Sequence, residues 1–123
     1  MKQILVVDDN SSVQRVLNYT LSRSGYQVIV FGDGARALEY MRQNSVDLAI
    51  IDLAMPGMDG LTLLKILRAD EKLHALPVVM LTASGMDQDR ITARQEGVNA
   101  FLTKPASSRE LVETVGSLLP AEV

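Results

Sequence analysis

Ile4-Leu5-Val6-Val7-Asp8-Asp9 decides how this chain is read: four apolar residues run without interruption into two carboxylates. An alternating pattern would mark a strand wet on one face. A continuous run this short, followed by a helical pattern, marks a parallel strand buried on both faces. Three more runs end in the same manner. Leu48-Ala49-Ile50-Ile51 ends in Asp52, Val78-Val79-Met80-Leu81 in Thr82-Ala83-Ser84, and Ala100-Phe101-Leu102-Thr103 in Lys104-Pro105. In open parallel sheets, ligands gather outside the carboxyl ends of the strands. Three carboxylates, a hydroxyl and an ammonium are therefore expected to meet in one place, a set suited to a divalent cation and a phosphoryl group.

The segments between these runs have helical periodicity. Ser11-Ser12-Val13-Gln14 has the form of a capping box, with Ser11 as cap and Gln14 reaching back. Val13, Val16, Leu17, Thr20 and Leu21 then recur at helical spacing, and Gly25 is a helix stop. Tyr26 to Phe31 reads as the second strand. Gly32-Asp33-Gly34 turns into a helix with Leu38 and Met41 inward, which Asn44 is expected to end in a left-handed conformation. The third strand is expected from Asp47 to Asp52, followed by the turn-rich Met55-Pro56-Gly57-Met58-Asp59-Gly60. Leu61, Leu64 and Leu67 mark the next helix, and Pro77 opens the fourth strand. The helix from about Met86 to Glu96 is poor in apolar residues, with Ile91 and Ala93 its best core candidates, and Gly97 stops it. Ser107-Ser108-Arg109-Glu110 is a second capping box. Leu111, Val112, Val115, Leu118 and Leu119 follow as an apolar stripe that Pro120 terminates. Strand and helix alternate five times with short connections, which gives a (βα)5 chain and a three-layer sheet with helices on both faces.

Composition removes whole classes of function. A chain of 123 residues with 47% apolar and 22% charged residues is expected to be one soluble domain spanning 1–123. A net charge of −3 offers no basic footprint for nucleic acid, and three Tyr, two Phe and no Trp make a poor base-stacking platform. The absence of cysteine excludes disulfides, thiolate metal sites and thiol catalysis. No run is long enough to span a membrane or to act as a signal peptide, so the cytoplasm is the expected compartment.

Taken singly, the site candidates admit plainer explanations. Asp8 and Asp9 could be acids at a helix start, Asp52 a turn residue at a strand end, and Thr82 a β-branched strand residue. Two adjacent aspartates closing a central strand, with a third carboxylate nearby, resist that explanation. Such crowding raises carboxylate pKa values unless a cation relieves it, and oxygen-only ligands point to Mg²⁺. Lys104 is one of only four lysines, and it stands between an apolar strand and Pro105 in a turn that can be cis. A lysine held there is a point charge suited to phosphate. His74 and the Asp87-Gln88-Asp89-Arg90 segment read as solvated, and the methionines Met41, Met55, Met58, Met80 and Met86 as packing. The loop after the first strand is Asp-Asp-Asn, without glycine, which argues against a dinucleotide or P-loop site.

Across residues 2 to 119 the chain resembles the receiver domain of two-component response regulators, including the single-domain chemotaxis regulators. The resemblance rests on Asp8-Asp9, on Asp52 with the downstream Met55-Pro56-Gly57-Met58-Asp59-Gly60, on Thr82-Ala83, and on Lys104-Pro105. It implies a flavodoxin-like fold with strand order 2-1-3-4-5. It further implies that Asp52 is the phosphoacceptor, fed by the phosphohistidine of a sensor histidine kinase or histidine phosphotransfer protein. Asp9, Asp52 and the Ala54 backbone carbonyl would bind Mg²⁺ or Mn²⁺, with Asp8 assisting through a metal-bound water. Lys104, the Thr82 hydroxyl and the Ala83 backbone N–H would contact the phosphoryl oxygens. Thr82 and Phe101 would form the switch, and the face of the fourth helix, fifth strand and fifth helix would carry output to a downstream effector. The resemblance leaves room for a phosphorylation-dependent homodimer, and implies a phosphoacceptor signalling domain that promotes its own phosphoryl transfer and autodephosphorylation rather than an enzyme.

Two rivals fall on specific residues. A haloacid-dehalogenase-type phosphatase needs a second aspartate two positions after its nucleophile, and Asp8 is followed there by Asn10. A pseudo-receiver that only binds partners would not need the complete set of acidic cluster, Thr82 and Lys104.

Overall fold

The computed structural model describes residues 1–83 and 87–119. Readings that fall on Ser84, Met86 and Pro120 lie outside the described residues. The chain alternates β1 (Gln3–Val7), α1 (Ser11–Arg23), β2 (Gln27–Phe31), α2 (Gly34–Gln43), β3 (Leu48–Asp52), α3 (Gly60–Ala69), β4 (Val78–Thr82), α4 (Asp87–Gln95), β5 (Ala100–Thr103) and α5 (Ser108–Leu118). All strand pairs are parallel and the sheet order is β2-β1-β3-β4-β5. The fold is therefore the flavodoxin-like (βα)5 sandwich expected. Among the described residues, no helix is long and apolar enough to cross a membrane.

The continuous apolar runs are explained by two cores, one on each face of the sheet. Leu5, Val7, Ala49, Ile51, Val78 and Met80 pack against α2, α3 and Ala93 of α4. Ile4, Val6, Leu48, Ile50, Val79 and Leu81 pack against α1 and α5 through Leu17, Leu21, Leu111 and Val115. Successive side chains of one strand serve opposite cores, so every position must be apolar. Each buried Leu or Ile contributes roughly 1.5–3 kcal/mol of transfer free energy, which makes β1, β3 and β4 the stable centre.

Helix ends depart from the expected caps in two places. Asn10, not Ser11, caps α1, accepting from the Ser12 and Val13 N–H groups at 2.9 and 3.1 Å. An asparagine with extended backbone one residue upstream outcompetes the serine, and Gln14 is left free for another partner. Asn44 has φ −135°, not a left-handed value, and its side-chain amide instead donates to the Tyr40 carbonyl. Gly25 and Gly97 do adopt positive φ, at 96° and 91°. Ser107 caps α5 as expected, accepting from Glu110 N–H at 3.0 Å. Two expected core residues lie outside: Val16 is 59% and Ile91 50% exposed. In α1, Leu17 and Leu21 are the buried contacts with partly buried Val13 beside them, and in α4 Ala93 is the buried contact. The third strand begins at Leu48 because Asp47 turns back, its carboxylate accepting from Gln3 N–H at 2.7 Å.

The edge of the sheet opposite the carboxyl ends is tied by Arg68. Its guanidinium donates to the carbonyls of Gly97 (3.0 and 2.8 Å), His74 (3.1 Å) and Leu76 (2.7 Å), and to Asn99 Oδ1 (2.9 Å). Burial lowers its pKa, and the fan of acceptors holds the charge in place. One side chain thus joins the end of α3 to the turns before β4 and β5.

The loop after β3 returns under the strand end, where Gly60 N–H donates to the Leu53 carbonyl at 2.9 Å. A Cβ built on Gly60 would stand 2.2 Å from the Asp52 carbonyl oxygen, so only glycine allows α3 to start against the end of β3. Gly60→Ala is expected to lower stability by about 1–3 kcal/mol, the usual range for overpacking against backbone. Urea unfolding measures it, and a midpoint equal to the parent's would mean the loop yields freely.

Candidate functional site

Four strand ends deliver the site. Asp8 follows β1, Asp52 closes β3, Thr82 closes β4, and Lys104 follows β5. The parallel register puts them on one edge: Asp52 stands beside Leu81, and Thr82 beside Thr103, with Lys104 N–H donating to the Thr82 carbonyl at 2.7 Å. The Lys104–Pro105 peptide is cis, as the sequence allowed. Asp8, Asp52 and Thr82 are buried, whereas Asp9 is exposed at the mouth.

Carboxylate oxygens of Asp8, Asp9 and Asp52 all lie within 4.8 Å of one another. Lys104 Nζ sits 2.8 Å from Asp8 Oδ2 and 3.5 Å from Asp52 Oδ1. Burial raises the Asp52 pKa, and the neighbouring charge of Asp8 raises it further. The charge of Lys104 and a hydrogen bond from Ala54 N–H oppose that rise without cancelling it. Burial by itself would lower the Lys104 pKa, but its hydrogen bond to Asp8 and the two carboxylate charges outweigh it, and the net shift is upward. The ammonium is thus locked on beside two acids that it cannot fully neutralise.

Three oxygen ligands this close, with one still ionised only at a cost, form a donor set that fits a hard divalent cation. Asp9 and Asp52 would hold it, and the ion would supply positive charge where the carboxylates crowd.

Most expected site residues converge here. Asp8, Asp9 and Asp52 cluster, Lys104 reaches Asp8 and Asp52, and Thr82 and Ala83 lie at the adjoining end of β4. Phe101 does not belong to the cluster. It lies within β5 opposite Met80, half-buried, with the Arg90 guanidinium 5.3 Å above its ring. Arg90 also donates to Thr103 Oγ1 at 3.0 Å. The segment read as merely solvated therefore supplies a cation–π cover that joins α4 to β5. Two more residues were missed. Asn10 N–H donates to Asp8 Oδ1 at 2.9 Å, and the Gln14 side-chain amide donates to the Asp8 carbonyl. The signal for both was the asparagine directly after Asp8-Asp9, a better cap than the serine that follows it.

Because the folded-state pKa of Asp52 lies above its ordinary value of 3.8, the folded state binds the extra proton. Stability then falls as pH rises from about that value through the elevated pKa. In metal-free buffer at pH 7, Asp52→Asn is expected to be more stable than the parent by about 1 kcal/mol or more. The difference should vanish below the ordinary carboxylate pKa. Urea unfolding in EDTA at both pH values checks this, and an Asp52→Asn variant less stable than the parent at pH 7 would contradict the crowding.

Comparison with known proteins agrees with this geometry. The profile of the response regulator receiver domain family matches residues 4–116. The alkaline phosphatase synthesis transcriptional regulatory protein PhoP of Bacillus subtilis is 38% identical over 118 residues, covering 96% of this chain and 48% of that protein. The transcriptional regulatory protein CpxR of Escherichia coli is 39% identical over 119 residues, covering 97% of this chain and 50% of that protein. The chain thus spans about half the length of these relatives. The chemotaxis protein CheY4 of Vibrio cholerae superposes with a TM-score of 0.91 at 29% identity, covering 97% of this chain and 99% of that one. Sequence, topology and the acidic strand-end cluster lead to one conclusion: the chain belongs to the response regulator receiver domain family of two-component signalling, whose general mechanism is phosphorylation of an aspartate.

Proposed function

We propose that Asp52 is the phosphoacceptor, with Asp9, Asp52 and the Ala54 carbonyl as Mg²⁺ or Mn²⁺ ligands and Asp8 acting through a metal-bound water. The observation that carries this reading is the convergence on one sheet edge of Asp8, Asp9 and Asp52, with ligand oxygens within 4.8 Å of one another, and of Lys104, whose Nζ faces Asp8 and Asp52 at 2.8 and 3.5 Å. The Asp52 carboxylate attacks phosphorus as the bond from phosphorus to the donor imidazole nitrogen breaks. The electron pair leaves with the imidazole, and an acyl phosphate forms on Asp52. Attack of one anion on another is slow without positive charge at the equatorial oxygens. Lys104 supplies it from this chain, and a cation held by Asp9 and Asp52 would add to it. The Ala83 N–H and the Thr82 hydroxyl complete the donors around the phosphoryl group.

The acyl phosphate brings extra negative charge and new acceptors to the end of β4. Thr82 turning toward it would free space for Phe101 to follow, which biases the α4–β5–α5 face between two arrangements. The Arg90 cover on Phe101 couples that ring to α4, which supports this route. The protein phosphodonor would be a sensor histidine kinase or a histidine phosphotransfer protein in the cytoplasm. The downstream effector or a phosphorylation-dependent homodimer would read the α4–β5–α5 face. The acyl phosphate is also lost by the chain's own hydrolysis: Ala54 is small and exposed beside Asp52, which leaves an in-line water unobstructed.

A small phosphodonor with Mg²⁺ should add one phosphoryl group to Asp52, and the mass increment should decay over minutes once donor is removed. Asp9→Ala should lose this metal-dependent labelling while keeping its fold. Labelling of Asp9→Ala at the parent's rate in Mg²⁺ would defeat the metal assignment, and labelling of Asp52→Asn would defeat the acceptor assignment.

Thr82→Ala should separate modification from switching. The variant should still be labelled on Asp52, while backbone NMR shifts around Phe101 and Ile91 respond far less than in the parent. Parent-sized shift changes would remove Thr82 from the switch.

A further inference from the structure

Asp9 has an unusual means of support. Among the described residues, no hydrogen bond or ion pair holds its exposed carboxylate, although one of its oxygens lies within 4.8 Å of Asp8 and Asp52 ligand atoms. Its direction is therefore set through its backbone, above all by the peptide joining it to Asp8. Every other part of Asp8 is tied. Its N–H donates to the Phe31 carbonyl at 3.1 Å, its Oδ1 accepts from Asn10 N–H at 2.9 Å, and its Oδ2 faces Lys104 Nζ at 2.8 Å. The remaining group is the carbonyl of the Asp8–Asp9 peptide, and the Gln14 side-chain amide donates to it.

Gln14 is well fixed for this task. It stands in the first turn of α1, its own N–H donating to the Asn10 carbonyl at 3.0 Å. The turn before α2 walls its amide, since a Cβ on Gly32 would stand 3.7 Å from Gln14 Nε2. Asn10 caps the same helix, so the helix start and the acidic loop form one clamped unit.

We propose that Gln14 is a positioning residue for the divalent cation: by holding the Asp8–Asp9 peptide plane it aims the Asp9 carboxylate at the metal position. The inference rests on the metal reading given above. Without the amide, the carbonyl turns to water, the peptide plane rotates, and Asp9 is no longer presented. Residues that orient a metal ligand from behind typically govern affinity by about 10–100-fold. Among the described residues no hydrogen bond joins Gln14 to Asp52, so the phosphoryl transfer step itself should be spared.

The test uses the full chain and Mg²⁺ alone as ligand. Gln14→Met keeps length and volume but removes the donor. Its Mg²⁺ dissociation constant, from NMR titration of backbone amides, should rise about tenfold or more. Its phosphorylation rate from a small phosphodonor should shift to higher Mg²⁺ yet reach the parent's maximum. An unchanged dissociation constant, with Asp9→Ala weakened as a control, overturns the role of Gln14 and leaves the metal reading intact. An Asp9→Ala protein that binds Mg²⁺ like the parent overturns both. A loss of maximal rate at unchanged affinity also overturns the role. Should Gln14→Met fold poorly, the parent decides: the Gln14 side-chain amide protons should exchange slowly and shift on Mg²⁺ addition, and fast exchange without a shift overturns the proposal.

Discussion

Like charges crowded at the end of a parallel sheet are the constraint to which the rest of this structure answers. Asp8, Asp9 and Asp52 bring ligand oxygens within 4.8 Å of one another, and Lys104 faces two of them at 2.8 and 3.5 Å. Burial, and after it the charge of Asp8, hold the Asp52 pKa above its ordinary value against the opposing ammonium. A site in that condition is unstable relative to a neutral one but receptive to a cation and, with the cation, to a phosphoryl group. Destabilisation of the metal-free state and readiness for the ligand arise from the same repulsion.

Holding such a cluster requires a rigid frame on all sides. The frame comes from the central strands β1, β3 and β4, buried from Ile4 to Val7, Leu48 to Asp52 and Val78 to Thr82 and packed between two cores. Around the cluster, backbone groups take over: Asn10 N–H on Asp8, Ala54 N–H on Asp52, and Thr82 carbonyl on Lys104 N–H. Gly60 lets α3 begin directly against the Asp52 carbonyl, where any side chain would collide. At the far edge of the sheet, Arg68 gathers the turns before β4 and β5 onto one guanidinium. The turn that follows α4 is therefore tied down through Gly97.

Under the proposed phosphorylation of Asp52, a helix held at its C-terminal end would turn a local charge event into a tilt rather than a loss of fold. Arg90 on Phe101 and on Thr103 is the contact through which α4 and β5 would move together. Exposure of Ile91 on the same helix leaves an apolar side chain on the outward surface, where a partner could register the change.

The sequence by itself determined the architecture and the membership of the site. Continuous apolar runs such as Ile4 to Val7 admit only strands buried twice, and residues that end parallel strands must share one edge, so Asp8, Asp9, Asp52, Thr82 and Lys104 could be grouped without coordinates. Local signals with a single physical cause were equally legible, as with Gly25, Gly97 and the Ser107 cap. Competition between neighbours was not. Asn10 or Ser11 as cap, an extended or left-handed Asn44, and a buried or exposed Val16 and Ile91 depend on which alternative the surrounding packing rewards. Long-range partnerships were also invisible, because nothing in the one-dimensional pattern says that Arg68 will meet Gly97 or that Arg90 will cover Phe101. Those contacts join residues whose spacing is set by the path of the chain through space, and only the folded structure decided them.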